Sequence, residues 1–276
     1  MPELPEVETA RRILEPQLKG KTIETVEVRN TQIIAHPQVE QFTAMLQGQT
    51  VTKISRRGKF LTIHFKSHDR LCLHLRMTGR LLVIPEEEPV QRHTHLIASL
   101  SDGNQIRYLD TRRFGRFWFL RSAEEDTYTG QSKLGMEPTD AALSADYLKS
   151  KLAHRKAAIK TMLLDQSVVA GIGNLYSDEI LFDAGIHPRA QCDTLMAADW
   201  EQLARSIAKI IRWGIDADDI TPQEYLQGEG REYRNAAHLR VYGRAGQPCV
   251  SCKTAIERVL IGGRNSCFCP RCQRKI

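Results

Sequence analysis

No apolar run in this chain is long enough to span a bilayer, which excludes a transmembrane helix. The opening stretch MPELPEVET lacks the basic and apolar regions of a signal peptide, so the expected location is the cytosol. There is no internal repeat and no low-complexity tract. An even, dispersed set of cysteines is also missing. Of seven, Cys72 and Cys192 are isolated, and Cys249, Cys252, Cys267, Cys269 and Cys272 crowd into the last 28 residues. An odd count in a reducing compartment argues against a disulfide framework.

What is present is a chain of 276 residues, long enough for two domains, with 41% hydrophobic and 26% charged residues, as in a soluble globular protein. Lys and Arg outnumber Asp and Glu 39 to 33, and the pI is near 9.0, which suits a polyanionic partner. The first residues read as a helix. Pro5 suits its first turn, Glu6 and Glu8 suit the positive end of its dipole, and Val7, Ala10, Leu14 and Leu18 form one stripe. Pro16 and Gly20 mark its expected end. From 22 to about 120 the chain reads as β, in short runs such as TIETVEVRN, TVTKISRRGKFLTIHFK, RLCLHLRM and GRLLVIP. HLIASLSDGNQIRYLD reads as a hairpin turning at Asp102-Gly103, and FGRFWFLR as a further strand. These predict a sandwich or barrel. The stretch SAEEDTYTGQSKLGMEPTD reads as a linker, and helical patterns follow it, including DWEQLARSIAKIIRW with Asp199 as N-cap.

Four stretches carry chemistry. Cys249-x2-Cys252 and Cys269-x2-Cys272 flank a glycine-turned hairpin too small to hold its shape alone. Each pair can present two thiolates to one tetrahedral Zn²⁺, and four thiolates leave no open position, so the zinc is structural. A redox pair or plain thiols is the alternative, and Cys267 is a possible fifth thiol. Arg264 stands at the hairpin tip, suited to a phosphate. In DQSVVAGIGNLYSDEIL a glycine turn opens a helix near Asn174, which is either an anion site or an ordinary connection. In YLDTRRFGRFWF, Arg112, Arg113 and Arg116 interleave with Phe114, Phe117 and Trp118. DTRRFG is the nucleic-acid candidate, the remaining aromatics are core, and Met77 in HLRMTG is a possible wedge. Last, removal of Met1 would leave Pro2 with a secondary amine that titrates near neutrality, around 7.7–8.0, able to form an iminium with an aldehyde-level carbon. The plainer reading of that terminus is a helix leader.

Taken together, MPELPEVET, RRGKFL, HLRMTG, DTRRFG, DQSVVAGIGNLYSDE, VYGRAGQPC and the cysteine hairpin resemble the formamidopyrimidine-DNA glycosylases along the whole chain. The resemblance implies an α+β protein with an N-terminal catalytic β-sandwich over 1–130. It implies a helical domain with a helix–two-turn–helix and a lesion lid over 131–240, and a zinc finger over 241–276. DNA would lie in a basic cleft. The activity implied is removal of 8-oxoguanine and formamidopyrimidines, followed by β,δ-elimination at the abasic site. Pro2 resembles the nucleophile, Glu3 the proton donor, Lys59 the β-elimination lysine, Arg264 the δ-elimination arginine and Glu6 a helper. Met77, Arg112 and Phe114 resemble the residues that fill the gap left by a flipped base. His74, His93, Arg155, Asn174 and Lys59 resemble DNA contacts, and Cys249, Cys252, Cys269 and Cys272 the ligands of one Zn²⁺. The partner implied is duplex DNA with oxidised bases or abasic sites, bound by a monomer with no membrane association.

Two places depart from the family pattern. Thr111 replaces a common proline. In the lid stretch DDITPQEYLQGEGREYRN, Gln223 stands where a basic residue is usual and a later glycine–aromatic pair is altered, while Thr221 and Tyr225 fit. The departures bear on lesion preference. An endonuclease VIII-like enzyme for oxidised pyrimidines and a noncatalytic zinc-ribbon DNA-binding protein are the competing readings. Leu4 argues against the first and the intact Pro2–Glu3 pair against the second.

Overall fold

A computed structural model of the chain describes residues 1–218, 220–227 and 238–274. It divides into two compact units. One comprises 1–2, 6–132 and 220–227, and the other 3–5, 133–218 and 238–274.

The first unit is a sandwich of two sheets. One sheet has the order β1 (Ile23–Val28), β7 (Thr94–Leu100), β8 (Asn104–Leu109), β6 (Arg80–Pro85), with antiparallel pairs throughout. The other runs β2 (Ile34–His36), β9 (Arg116–Leu120), β5 (Arg70–His74), β4 (Phe60–Phe65), β3 (Val51–Arg57), and only β2–β9 is parallel. Leu61, Ile63, Leu73, Ile106, Tyr108, Phe117 and Phe119 belong to its core, as do Val7, Ala10, Leu14 and Leu18 of helix α1 (Leu4–Leu18). Pro16 lies inside α1 rather than ending it. Its ring leaves the Arg12 carbonyl without a helical donor, but Arg12 is exposed to water. The chain turns away just past the helix at Gly20, whose φ of +82° suits glycine.

Two further expectations are corrected. The run 50–66 is two strands, turned at Gly58 with φ +56°. The all-β span contains a helix, α2 (Val39–Leu46), which buries Phe42 and Leu46 one helical turn apart. The Asp102-Gly103 hairpin forms with Gly103 at φ +81°.

The second unit is helical. Helices α3 (Ala145–Leu152), α4 (Ile159–Leu163), α5 (Asn174–Ala184) and α6 (Ala197–Ala217) surround a core that includes Leu148, Leu163, Ile180, Trp200, Leu203 and Ile211. The N-cap of α6 is Met196, not Asp199. Asp199 occupies the third helical position, where its carboxylate accepts from the Met196 amide at 2.9 Å. The unit ends in an antiparallel hairpin of β10 (Glu257–Ile261) and β11 (Arg264–Phe268), turned at Gly262-Gly263 with φ of +54° and +74°. Helix α7 (Pro222–Gln227) belongs to the first unit.

Candidate functional site

The start of the chain is held by the N-terminus of α5. Leu4 is fully buried, and its amide donates to the Gly171 carbonyl at 3.0 Å. The buried Glu3 carboxylate accepts from the amides of Gly173 (2.7 Å), Leu175 (2.9 Å) and Tyr176 (3.3 Å). A helix leaves its first amides without partners and its dipole favours an anion there. The glycines make the room. Gly171 has φ +93°, and a Cβ on it would stand 2.6 Å from the Leu4 side chain. On Gly173 a Cβ would stand 2.3 Å from the Glu3 carboxyl carbon. The anion site read from GIGN is therefore filled from within, by Glu3 rather than by a phosphate. Pro2, half-buried, is covalently next to that anchored carboxylate, and Met1 is exposed.

Further groups in the second unit attach to the same helix. Asn174 Nδ2 donates to the Asn265 carbonyl at 3.0 Å, beside the exposed Arg264. Asp178 is buried, pairs with the fully buried Lys160 and accepts from the Cys267 amide at 2.9 Å. Burial raises the Asp178 carboxyl against the opposing pull of the Lys160 ammonium. Glu179, also buried, accepts from the amides of Arg240, Val241 and Tyr242 at 2.9–3.1 Å. Neither acid was singled out in the sequence. The signal was there: Asp178 and Glu179 sit in a helix whose apolar residues leave no solvent face. Arg155 is exposed on the turn between α3 and α4.

The Sγ atoms of Cys249, Cys252, Cys269 and Cys272 all lie within 4.8 Å of one another, with Cys249–Cys272 at 3.9 Å and Cys252–Cys269 at 3.4 Å. A tetrahedron with Zn–S bonds of about 2.3 Å needs S···S of about 3.8 Å, so the set fits one Zn²⁺. Cys267 is not in the set. It lies in β11, opposite Arg258.

In the first unit, Lys59 is buried in the β3–β4 turn. Nearby on the chain, Arg56 donates to Glu8 Oε2 (3.0 Å) and to the Gly58 carbonyl (3.2 Å). Burial would raise the Glu8 carboxyl, but hydrogen bonds from Arg11 and Arg56 outweigh it and hold it below the usual range. Glu6 is half-buried in the first turn of α1. His74 pairs across the sheet with Phe60 and packs edge-on to it, ring centroids 4.7 Å apart. Its Nδ1 accepts from the Arg76 amide at 2.9 Å. Burial first, then the charges of Arg76 and Lys59, push its pKa down to about 3, so it is neutral and fixed in a turn. His93 is half-buried with φ +65°.

Met77, Arg112 and Phe114 come together at the surface. Met77 is 39% and Phe114 46% exposed. Arg112 Nη1 lies 3.0 Å from Met77 Sδ, and its guanidinium carbon 4.9 Å from the Phe114 ring centroid. Trp118 and Phe117 are buried, as expected of core. The lid stretch begins with a capping box. The Thr221 amide donates to Glu224 Oε2 at 2.8 Å and the Glu224 amide to Thr221 Oγ1 at 3.3 Å. Tyr225 packs against the sandwich core. The altered glycine–aromatic pair lies outside the described residues. Among the described residues, no helix is long and apolar enough to cross a membrane.

Three family models match consecutive parts of the chain. They are the formamidopyrimidine-DNA glycosylase N-terminal domain over residues 1–117, the formamidopyrimidine-DNA glycosylase H2TH domain over 134–225, and a zinc finger found in FPG and IleRS over 246–274. A formamidopyrimidine-DNA glycosylase of Desulforamulus reducens is 42% identical over 275 residues, covering 99% of each chain. One of Bacillus subtilis is 41% identical over 276 residues, covering 100% of each. Among solved structures, Lactococcus lactis Fpg bound to abasic-site DNA superposes with a TM-score of 0.90 at 34% identity, covering 99% of this chain and 100% of that one. The same Fpg bound to FAPY-dG DNA gives the same values.

Proposed function

The chain belongs to the formamidopyrimidine-DNA glycosylase family, a base-excision DNA glycosylase with AP-lyase activity and one structural zinc, and from that premise we propose that it excises oxidised purines through the amine of Pro2 and cuts the abasic strand by β,δ-elimination. The observation that carries the reading is the anchoring of Glu3 and Leu4 on α5. A nucleophile must be held in place, and here the residue after it accepts three backbone amides.

After loss of Met1, the Pro2 nitrogen attacks C1′ of the flipped nucleotide. The C1′–N bond to the base breaks, and its electron pair leaves with the base. The proton that the proline nitrogen loses passes to the Glu3 carboxylate, which hands it to the ring oxygen as the C1′–O4′ bond breaks, giving an iminium between Pro2 and C1′ of the opened sugar. The iminium draws electrons from C2′, so a base that removes the C2′ proton expels the 3′ phosphate. Lys59 is assigned to that β-elimination, Arg264 to the δ-elimination that expels the 5′ phosphate, and Glu6 to support of Pro2. The lesion must leave the stack for any of this, because C1′ and the base are out of reach in a duplex. Met77, Arg112 and Phe114 take its place. His74, His93, Arg155 and Asn174 are assigned to the DNA, with His74 serving as a neutral group. Functionally the chain is read as three parts, 1–130, 131–240 and 241–276, acting in the cytoplasm as a monomer.

Single-turnover base release by Pro2→Gly tests the nucleophile. With DNA binding retained, release of 8-oxoguanine is expected to vanish, and unchanged release removes Pro2 from its role. An oxidised-pyrimidine preference is a second reading, favoured by the likeness to a Lactococcus lactis Fpg structure holding an oxidised-pyrimidine DNA, and the same assay with that lesion measures it.

A further inference from the structure

One buried carboxylate ties together the two loops that carry Met77, Arg112 and Phe114. Asp110 is fully buried just past β8. Its Oδ1 accepts from the Thr78 hydroxyl and from the Arg112 amide at 3.1 Å. Its Oδ2 accepts from the Tyr108 hydroxyl at 3.1 Å and the Gly115 amide at 2.9 Å. The Thr78 oxygen also accepts from the Arg112 amide at 3.1 Å, so it bridges the loops directly. Burial would raise the Asp110 carboxyl, but hydrogen bonds from Thr78, Gly115, Tyr108 and Arg112 outweigh it and keep it ionised.

The Tyr108 hydroxyl fills the space at both loop roots. A Cβ on Gly79 would stand 2.4 Å from that oxygen, and one on Gly115 1.7 Å. Gly79 closes the loop of Met77, its amide donating to the Leu75 carbonyl at 3.0 Å, and Gly115 closes the loop of Phe114. The Asp110 backbone extends the lock to residues 93 and 95. The Asp110 amide donates to the His93 carbonyl at 3.0 Å, and His95 Nε2 bonds the Asp110 carbonyl at 2.8 Å.

We infer that Thr78, Tyr108 and Asp110 are positioning residues that lock the two loops into one wedge, so that Met77, Arg112 and Phe114 enter the duplex together. Unstacking a base costs free energy, and a wedge recovers that cost only if its parts arrive in register. Three side chains on independently moving loops would not. The inference rests on the reading of those three as gap fillers.

The test compares base release from a duplex with 8-oxoguanine opposite cytosine against cleavage of a duplex with a preformed abasic site, both in single turnover. The second needs no base to be unstacked. Thr78→Val keeps the shape and removes both hydrogen bonds, and Thr78→Ser keeps the oxygen. Thr78→Val is expected to slow base release about ten- to a hundredfold. Cleavage at the abasic site is expected to change less than about twofold, and Thr78→Ser to restore base release. Tyr108→Phe, which removes one hydroxyl, carries the same expectation and serves if Thr78→Val folds poorly. Met77→Ala and Phe114→Ala run alongside. If those two slow release and neither Thr78→Val nor Tyr108→Phe does, the lock is wrong and the wedge stands. If Met77→Ala and Phe114→Ala release at the wild-type rate, the gap-filling reading fails and the inference with it. Equal slowing on both substrates by both Thr78→Val and Tyr108→Phe also overturns the lock, because the two hydroxyls then serve the general structure and not the wedge.

Discussion

The sandwich buries Leu61, Ile63, Leu73, Phe117 and Phe119 between two sheets, whereas the small core around the cysteine hairpin has Phe182, Val241 and Ile256 besides its cysteines. Each fully buried large apolar side chain contributes about 1.5–3 kcal/mol, so the first region holds itself together. A two-stranded hairpin is marginal in water, and a structural zinc site contributes roughly 10 kcal/mol or more in apparent terms. Both regions present groups assigned to DNA. The difference shows what a metal can replace: in the role proposed for it Arg264 needs a rigid platform, and the chain there has too few apolar residues to build one from packing.

The largest test of that contrast is zinc removal. Chelation, or Cys249→Ser, is expected to abolish tight DNA binding while the sandwich melts at its original temperature, followed by circular dichroism and DNA titration. Coincident loss of both would erase the contrast. The reciprocal change is Phe119→Ala, expected to cost about 3–5 kcal/mol in denaturant unfolding and to leave zinc content unchanged. A smaller effect concerns the polar anchor beside the hairpin. Glu179→Ala leaves the amides of Arg240, Val241 and Tyr242 without their acceptor, and about 1–3 kcal/mol of local stability should go. Hydrogen exchange at 240–242 should speed up with the sandwich amides unchanged.

The smallest test is pH. His74 ionises at about 3 when folded, against 6.5 for the ordinary group. Below pH 6.5 the unfolded chain takes up a proton that the folded chain refuses. Its contribution is therefore complete above 6.5 and is lost as pH falls toward 3. His74→Asn keeps an acceptor for the Arg76 amide and cannot titrate. It should flatten the stability profile between pH 6.5 and 5, above the range of ordinary carboxylates.

Local signals were legible in the sequence wherever the cause was local. The Asp102-Gly103 hairpin, the stripe of α1, the glycine turn of the cysteine hairpin and the paired CxxC motifs all follow from near neighbours. α2 was not legible, since eight residues with two buried apolar positions give little period to read. Nor was the partner of GIGN. Glu3 lies 170 residues from Gly173, and no spacing rule joins them. In DTRRFG the arginines and phenylalanine are exposed and stand out by composition, while Asp110 is buried and is distinguished only by its four donors.

If the anchored terminus is the reagent, its nitrogen forms a bond to the sugar that a reductant can fix. Borohydride trapping on a duplex with one 8-oxoguanine opposite cytosine, with the crosslinked peptide identified by mass, reads that bond. The expected product is a peptide that begins at Pro2, lacks Met1 and carries the sugar on the proline nitrogen. A crosslink on a lysine, or tight binding with no crosslink to this lesion, to an oxidised pyrimidine or to an abasic site, would contradict it.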